Sequence, residues 1–157
     1  MLIYPLQCLV AQSASSSMSP RPSRCYEVRD TEREPTVLIV DDDPDIAPLV
    51  DSALRPFDIA AEAVLGGADA LIHVHSRRYE LVVLDLALGD IPGFDVLHAL
   101  KEAPLNKDTP VLIVTANGSH EAIARSFGYG ADEFVKKPFD LRELGMRAFR
   151  LIHPFRQ

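Results

Sequence analysis

Cysteine, long apolar runs and clustered positive charge are all scarce in this chain, and each scarcity excludes something. There are two cysteines, Cys8 and Cys25, both ahead of residue 36. They match no metal or redox spacing and cannot staple the later chain, so a disulfide framework is excluded and a reducing compartment is expected. No apolar run approaches the ~20 residues that a membrane-spanning helix needs. Apolar residues make up 47% of the 157 and charged residues 25%, as in an ordinary globular domain. The net charge of −7 lies wholly in residues 36–157, which carry 12 Lys/Arg against 19 Asp/Glu. An acidic domain without a basic stripe is a poor nucleic-acid binder and suits a cation site better. No glycine-rich phosphate loop and no Ser–His–Asp arrangement stands out.

Residues 1–35 read as a disordered leader. "QSASSSMSPRPS" is rich in Ser and Pro and has no sustained periodicity. "MLIYPLQCLVA" is apolar, but no Lys or Arg precedes it and Pro5 interrupts it, so a signal peptide is poorly supported. Met18 is an alternative start. From residue 36 the pattern turns regular: short β-rich apolar runs alternate with amphipathic segments, the signature of βα units around a parallel sheet. Strands are expected at Val37–Val40, Ile59–Val64, Leu81–Leu84, Val111–Thr115 and Glu133–Val135. The apolar faces of the helices between them are Ile46, Leu49, Val50, Ala53 and Leu54; then Ala70, Leu71 and Val74; then Phe94, Leu97 and Leu100; then Ala122, Ile123 and Phe127; and last Leu141, Leu144, Ala148, Leu151 and Ile152. Pro48 would clash inside a helix begun at Pro44, so a start at Asp45, or an irregular first turn, is expected. Five such units make a doubly wound α/β domain over residues 36–153, followed by a short tail at 154–157.

Ligands of an open parallel sheet bind beyond the carboxyl ends of its strands. Asp41, Asp42 and Asp43 follow the first strand, Asp85 follows the third, Thr115 ends the fourth, and Lys136 and Lys137 follow the fifth. Clustered carboxylates repel unless a hard divalent cation sits among them, and Mg2+ takes oxygen ligands together with phosphate. A lysine adds a point charge for phosphate oxygens and a threonine hydroxyl a donor. A strand-end aspartate in that setting can act as a nucleophile towards phosphorus. The EF-hand alternative for Asp41, Asp43 and Asp45 fails at Ile46, where glycine is required, and at Ser52, where glutamate is required. Asp43 and Asp45 read as turn or helix-start residues. His73, His75, His98, His120 and His153 read as structural or solvated.

In "VLIVDDDPDI", "ELVVLDLALGDIPGFDVL", "PVLIVTAN" and "GADEFVKKPFDLREL", in that order and spacing, residues 36–153 resemble the receiver domain of bacterial two-component response regulators, of the CheY-like type. The resemblance implies a flavodoxin-like (βα)5 fold with strand order 2-1-3-4-5. It implies phosphorylation of Asp85 by a sensor histidine kinase or a histidine phosphotransfer protein. Mg2+, with Mn2+ as an alternative, would be held by Asp42, Asp85 and the backbone carbonyl of Ala87, with Asp41 acting mainly through water. Lys137 matches the family lysine, Thr115 the switch hydroxyl and Phe134 the switch aromatic; Lys136 points elsewhere. Ala87 and Asn117 flank the path of attacking water and would tune the phosphoryl lifetime. The switched surface, made by the fourth helix, fifth strand and fifth helix, would meet a downstream protein partner or a second copy of the chain upon phosphorylation. The expected setting is cytoplasmic, without nucleic acid or membrane. No output domain fits after Gln157, so a single-domain regulator or a piece of a longer one is expected.

The sequence departs from the family at Gly89, where proline is frequent, at Pro92-Gly93, where "DG" is usual, and at Ala87, smaller than the common Met or Asn. Two other classes compete with a phosphoacceptor that is not a turnover enzyme. An aspartate-nucleophile phosphatase of the haloacid dehalogenase type would want a second aspartate at position 87, where alanine stands. A pseudo-receiver, an unphosphorylated interaction module, would lack groups that are present here.

Overall fold

The computed structural model describes residues 36–154. The expected leader with Cys8, Met18 and Cys25, and the tail beyond residue 154, lie outside the described residues. The chain runs β1 (Val37–Val40), α1 (Ile46–Leu54), a 3-10 turn (Arg55–Phe57), β2 (Ala61–Val64), α2 (Gly67–Ser76), β3 (Leu81–Leu84), α3 (Gly93–Glu102), β4 (Val111–Thr115), α4 (His120–Gly128), β5 (Glu133–Lys136) and α5 (Leu141–Ile152). The five strands form one sheet in the order β2-β1-β3-β4-β5, and every pair is parallel. This is the doubly wound arrangement expected above.

The central strands are apolar at every position because both faces of the sheet are covered. Leu38, Val40, Val82, Leu84, Val111 and Ile113 turn to one face and pack against Ala70 and Val74 of α2 and Val96, Leu97 and Leu100 of α3. Val37, Ile39, Leu81, Val83, Leu112 and Val114 turn to the other and pack against Val50, Ala53 and Leu54 of α1 and Leu144 and Ala148 of α5. Alternation along each strand thus divides the core into two layers.

Several boundaries and faces differ from the sequence reading. The β2 ladder begins at Ala61, opposite Val37; Ile59 and Ala60 precede it, and the Ala60 carbonyl accepts from the Thr36 and Val37 N–H groups. β5 runs one residue further than expected, since Lys136 still pairs with Thr115. α1 begins late, with Asp45 at its cap and Pro48 at the third position, as the proline required. Leu49 on the same helix is largely exposed. In α4 the buried positions are Ala122 and Ser126, whereas Phe127 is 46% exposed. The Ser126 hydroxyl donates to the Ala122 carbonyl at 2.7 Å, so burying it leaves no polar group unsatisfied.

No helix among the described residues is long and apolar enough to cross a membrane.

Candidate functional site

Sheet register assembles the site. Val40 pairs with Leu84, so Asp41 and Asp85, each one residue further on, emerge side by side. They lie where the chain order reverses between β2 and β3 on either side of β1, the topological switch point of such a sheet. Thr115 pairs with Lys136, which places Lys137 one step beyond the end of β5. The Lys137–Pro138 peptide bond is cis.

The Lys137 ammonium bridges two carboxylates. Its Nζ donates to Asp41 Oδ2 at 2.6 Å and to Asp85 Oδ2 at 2.7 Å. The second oxygen of each aspartate takes a backbone donor: the Asp43 N–H bonds Asp41 Oδ1 at 2.9 Å, and the Ala87 N–H bonds Asp85 Oδ1 at 2.9 Å. Asp41 is 3% exposed and Asp85 5%, so these charges are stabilised by fixed donors more than by bulk water. Exposed Asp42 completes a group of three carboxylates whose oxygens lie within 4.8 Å of one another. Three acids against one ammonium leave the pocket net negative. Its donors are all oxygen, which fits a hard divalent cation and not a soft one.

Local electrostatics separate the two buried acids. Burial raises Asp41 above the ordinary carboxylate value, outweighing the opposing pull of Lys137 and the Asp43 N–H. Burial acts in the same upward sense on Asp85, but the Ala87 N–H, the Lys137 ammonium and the Thr115 hydroxyl together hold it below that value. Burial works against the charge on Lys137, and the two carboxylates more than offset it, so the lysine stays protonated.

The other expected residues divide into those at the pocket and those beside it. Thr115 is fully buried, with its hydroxyl oxygen 3.5 Å from the Asn117 N–H. Asn117 is exposed, and its side-chain oxygen accepts from the Ser119 N–H at the start of α4. Phe134 is half-buried against the α2–α3 core layer, on the strand that ends in the lysine. Ala87 is exposed on the β3–α3 loop. Lys136 is exposed and lies over the Gly118 backbone. Asp43 Oδ1 accepts from the Asp45 N–H at 3.0 Å, a local turn, and Asp45 makes no side-chain cap. The His73 and His75 rings bond carbonyls of their own helix, and His98 lies 3.7 Å from Glu102.

One residue of this region escaped the sequence reading. Asp90, on the β3–α3 loop, receives the Gly67 N–H on Oδ1 and the Ala68 N–H on Oδ2, both at 2.9 Å, and so caps α2 from outside that helix. The only trace in the sequence is that α2 opens on Gly66-Gly67 and has no capping side chain of its own. The N–H groups of Ala68, Gly67 and Ile91 depress the Asp90 carboxyl to about 2. Its folded value lies below its unfolded one, so its contribution to stability is complete above pH ~4 and is lost as pH falls towards ~2. The difference in thermal midpoint between wild type and Asp90→Asn should therefore be constant from pH 7 to 5 and shrink below pH 4; a difference that grew on acidification would refute this linkage.

Comparison with known proteins agrees with the geometry. The family model described as response regulator receiver domain matches residues 37–148. The chain is 38% identical over 116 residues to the transcriptional regulatory protein CiaR of Streptococcus pneumoniae, covering 74% of this chain and 50% of that protein. It is 37% identical over 106 residues to the regulatory protein LuxO of Vibrio cholerae, covering 68% of this chain and 23% of that one. The chain thus spans half or less of the length of these relatives. Among solved structures, the BeF3-activated receiver domain of DrrB from Thermotoga maritima superposes with a TM-score of 0.67 at 30% identity, covering 74% of this chain and 95% of that one.

Proposed function

Since the chain belongs to the response regulator receiver domain family of two-component signalling, we propose that Asp85 is its phosphoacceptor and that Lys137, Asp41 and Asp42 are the groups that make transfer to it feasible. The observation that carries this reading is the Lys137 ammonium held between the carboxylates of Asp41 and Asp85. That contact keeps Asp85 ionised, aimed and close to a cation at the open edge of the sheet.

The donor is a phosphohistidine on a sensor kinase or phosphotransfer protein. A carboxylate oxygen of Asp85 attacks phosphorus as the P–N bond breaks. The electron pair of that bond stays on the departing ring, which leaves as neutral imidazole by carrying or taking up one proton, and an acyl phosphate forms. Charge grows on the equatorial phosphoryl oxygens during transfer, and Lys137 is placed to offset it. Asp42, Asp85 and the Ala87 carbonyl would hold Mg2+, with Asp41 acting through water, and the bound ion would supply further compensation of phosphoryl charge. The Thr115 hydroxyl can then donate to a phosphoryl oxygen. Phe134, on the adjoining strand, would follow that movement and alter the α4–β5–α5 face presented to a downstream protein or a second copy. Ala87 and Asn117 would border the phosphoryl group and set how readily water removes it. The protein is read as a signalling phosphoacceptor and not as a turnover enzyme.

Incubation with acetyl phosphate and Mg2+ should add one phosphoryl group, seen by intact-mass measurement. Borohydride reduction and peptide mapping should place it at Asp85. Uptake at another residue would overturn the assignment to Asp85, and no uptake would overturn it in favour of an unphosphorylated interaction module.

A further inference from the structure

The loop between β3 and α3 has two faces. One lies against the acidic pocket: the Ala87 N–H holds Asp85 Oδ1 at 2.9 Å, and a Cβ placed on Gly89 would stand 3.5 Å from Asp42 Oδ2. The other is fastened to α2 through the two Asp90 bonds. Leu86, Leu88 and Ile91 of the loop also pack on the α2–α3 core layer, and the Gly93 N–H donates to the Leu86 carbonyl at 3.2 Å; the two Asp90 bonds are the loop's hydrogen-bonded tie to the start of α2.

The receiving surface on α2 is fitted to this carboxylate. A Cβ on Gly66 would lie 2.7 Å from Asp90 Oδ2. A Cβ on Gly67 would lie 2.9 Å from Ile91 Cβ and 2.8 Å from Val96 Cγ2. Two consecutive residues without side chains thus admit a loop that arrives from 22 and 23 residues away. An ordinary helix start would need neither glycine, since a serine or aspartate in the chain itself can cap it.

We infer that Asp90 is a positioning residue for the metal and phosphoryl site: by tying the β3–α3 loop to the start of α2 it fixes Ala87 beside Asp85 and holds the loop backbone against Asp42. The inference rests on the metal-site reading above and adds to it a residue that touches neither ion nor phosphoryl group. Its loss frees the loop to move away from the pocket. The pocket would then have to order that loop each time a cation binds, and affinity would fall.

Five proteins test this: wild type, Asp90→Ala, Gly66→Ala, the double variant of these two, and Asp132→Ala. Gly66→Ala displaces the carboxylate from the opposite side without substituting any residue of the loop, and the extended backbone there (φ −164°) accepts alanine. Asp132→Ala removes a carboxylate that accepts the Val111 N–H at 2.8 Å at the other end of the sheet, and so controls for a general loss of stability. Calorimetric titration with Mg2+ should show a dissociation constant raised about 10-fold in Asp90→Ala and Gly66→Ala, the lower end of the effect of outer-shell partners, with Asp132→Ala within twofold of wild type. Amide exchange without metal should quicken at residues 86–91 in the first three variants alone. The double variant Asp90→Ala/Gly66→Ala should be no worse than either single one. Mg2+ affinity in Asp90→Ala within twofold of wild type would overturn the inference and leave the metal site standing. A wild-type protein that binds no Mg2+ would overturn the metal reading and this inference with it.

Discussion

Asp85→Asn should stop phosphoryl uptake and Lys137→Ala should slow it, and the two should move stability in different ways. Asparagine at 85 removes the proposed nucleophile, so labelling by acetyl phosphate should be undetectable. Its amide oxygen can still accept the Ala87 N–H, and Lys137 keeps Asp41 as a partner. Exchanging one hydrogen-bonded group for another should leave unfolding free energy within about 1 kcal/mol of wild type. Alanine at 137 keeps the proposed nucleophile but removes a cation whose side chain is only 16% exposed from between two buried acids. Losing a fixed charge-compensating group should slow labelling about 10²–10³-fold. Leaving buried charge without its counter-ion should cost about 3 kcal/mol of stability when metal is absent. Both orphaned carboxylates would then have raised pKa values, so the folded state of the variant would hold more protons than the unfolded state. Its stability should therefore rise as pH falls from 7 towards 5, and the deficit against wild type should narrow. Denaturant unfolding at the two pH values, with a chelator present, measures this. Equal stability of Lys137→Ala and wild type at pH 7 would mean that the bridge does not organise the pocket.

Gly145→Ala should be among the most damaging single-methyl additions in the domain. Gly145 sits in α5 where that helix crosses α1, and an added Cβ would press into the Ala53 carbonyl oxygen and stand 2.7 Å from Phe57 Cε2. The carbonyl belongs to helix backbone and cannot yield as a side chain would. Phe57 is itself held by stacking on Phe149, with ring centroids 5.2 Å apart. Overpacking of this kind costs about 3 kcal/mol at its upper range, and the better helix propensity of alanine returns about 1 kcal/mol. A net loss of about 2 kcal/mol should lower the thermal midpoint by about 10 °C for a domain of this size. Gly128→Ala is the matched comparison, because nothing lies within 4 Å of a Cβ there, and it should be neutral or stabilising. If the two substitutions shift the midpoint alike, α1 and α5 are not in contact through Gly145.

The three central strands, the α/β class and the strand-end positions of Asp41, Asp42, Asp85 and Thr115 were legible because they depend on short-range pattern: runs of four apolar residues, each followed by a polar group. The edge strands AEAV and EFVK carry a weaker pattern, and their bounds differed from the expected ones. The faces of the helices were less so. Phe127 fitted an apolar stripe yet lies outward, while Ser126 is buried. Periodicity records which residues could share a face, but burial depends on where the helix rests, and a hydroxyl that returns its hydrogen bond to its own helix can enter the core.

By itself, the sequence determined the alternation of strands and helices, the acidity of residues 36–157 and the set of groups available at the carboxyl edge. Only the tertiary structure decided how those groups are paired: that one ammonium serves both Asp41 and Asp85, that burial raises one of these acids while nearby donors lower the other, and that Asp90 caps α2. The physical reason is separation along the chain. Lys137 meets its carboxylates across 96 and 52 residues, and Asp90 meets α2 across 22 and 23. Local preference has no range at such distances; sheet register and close backbone approach set those contacts.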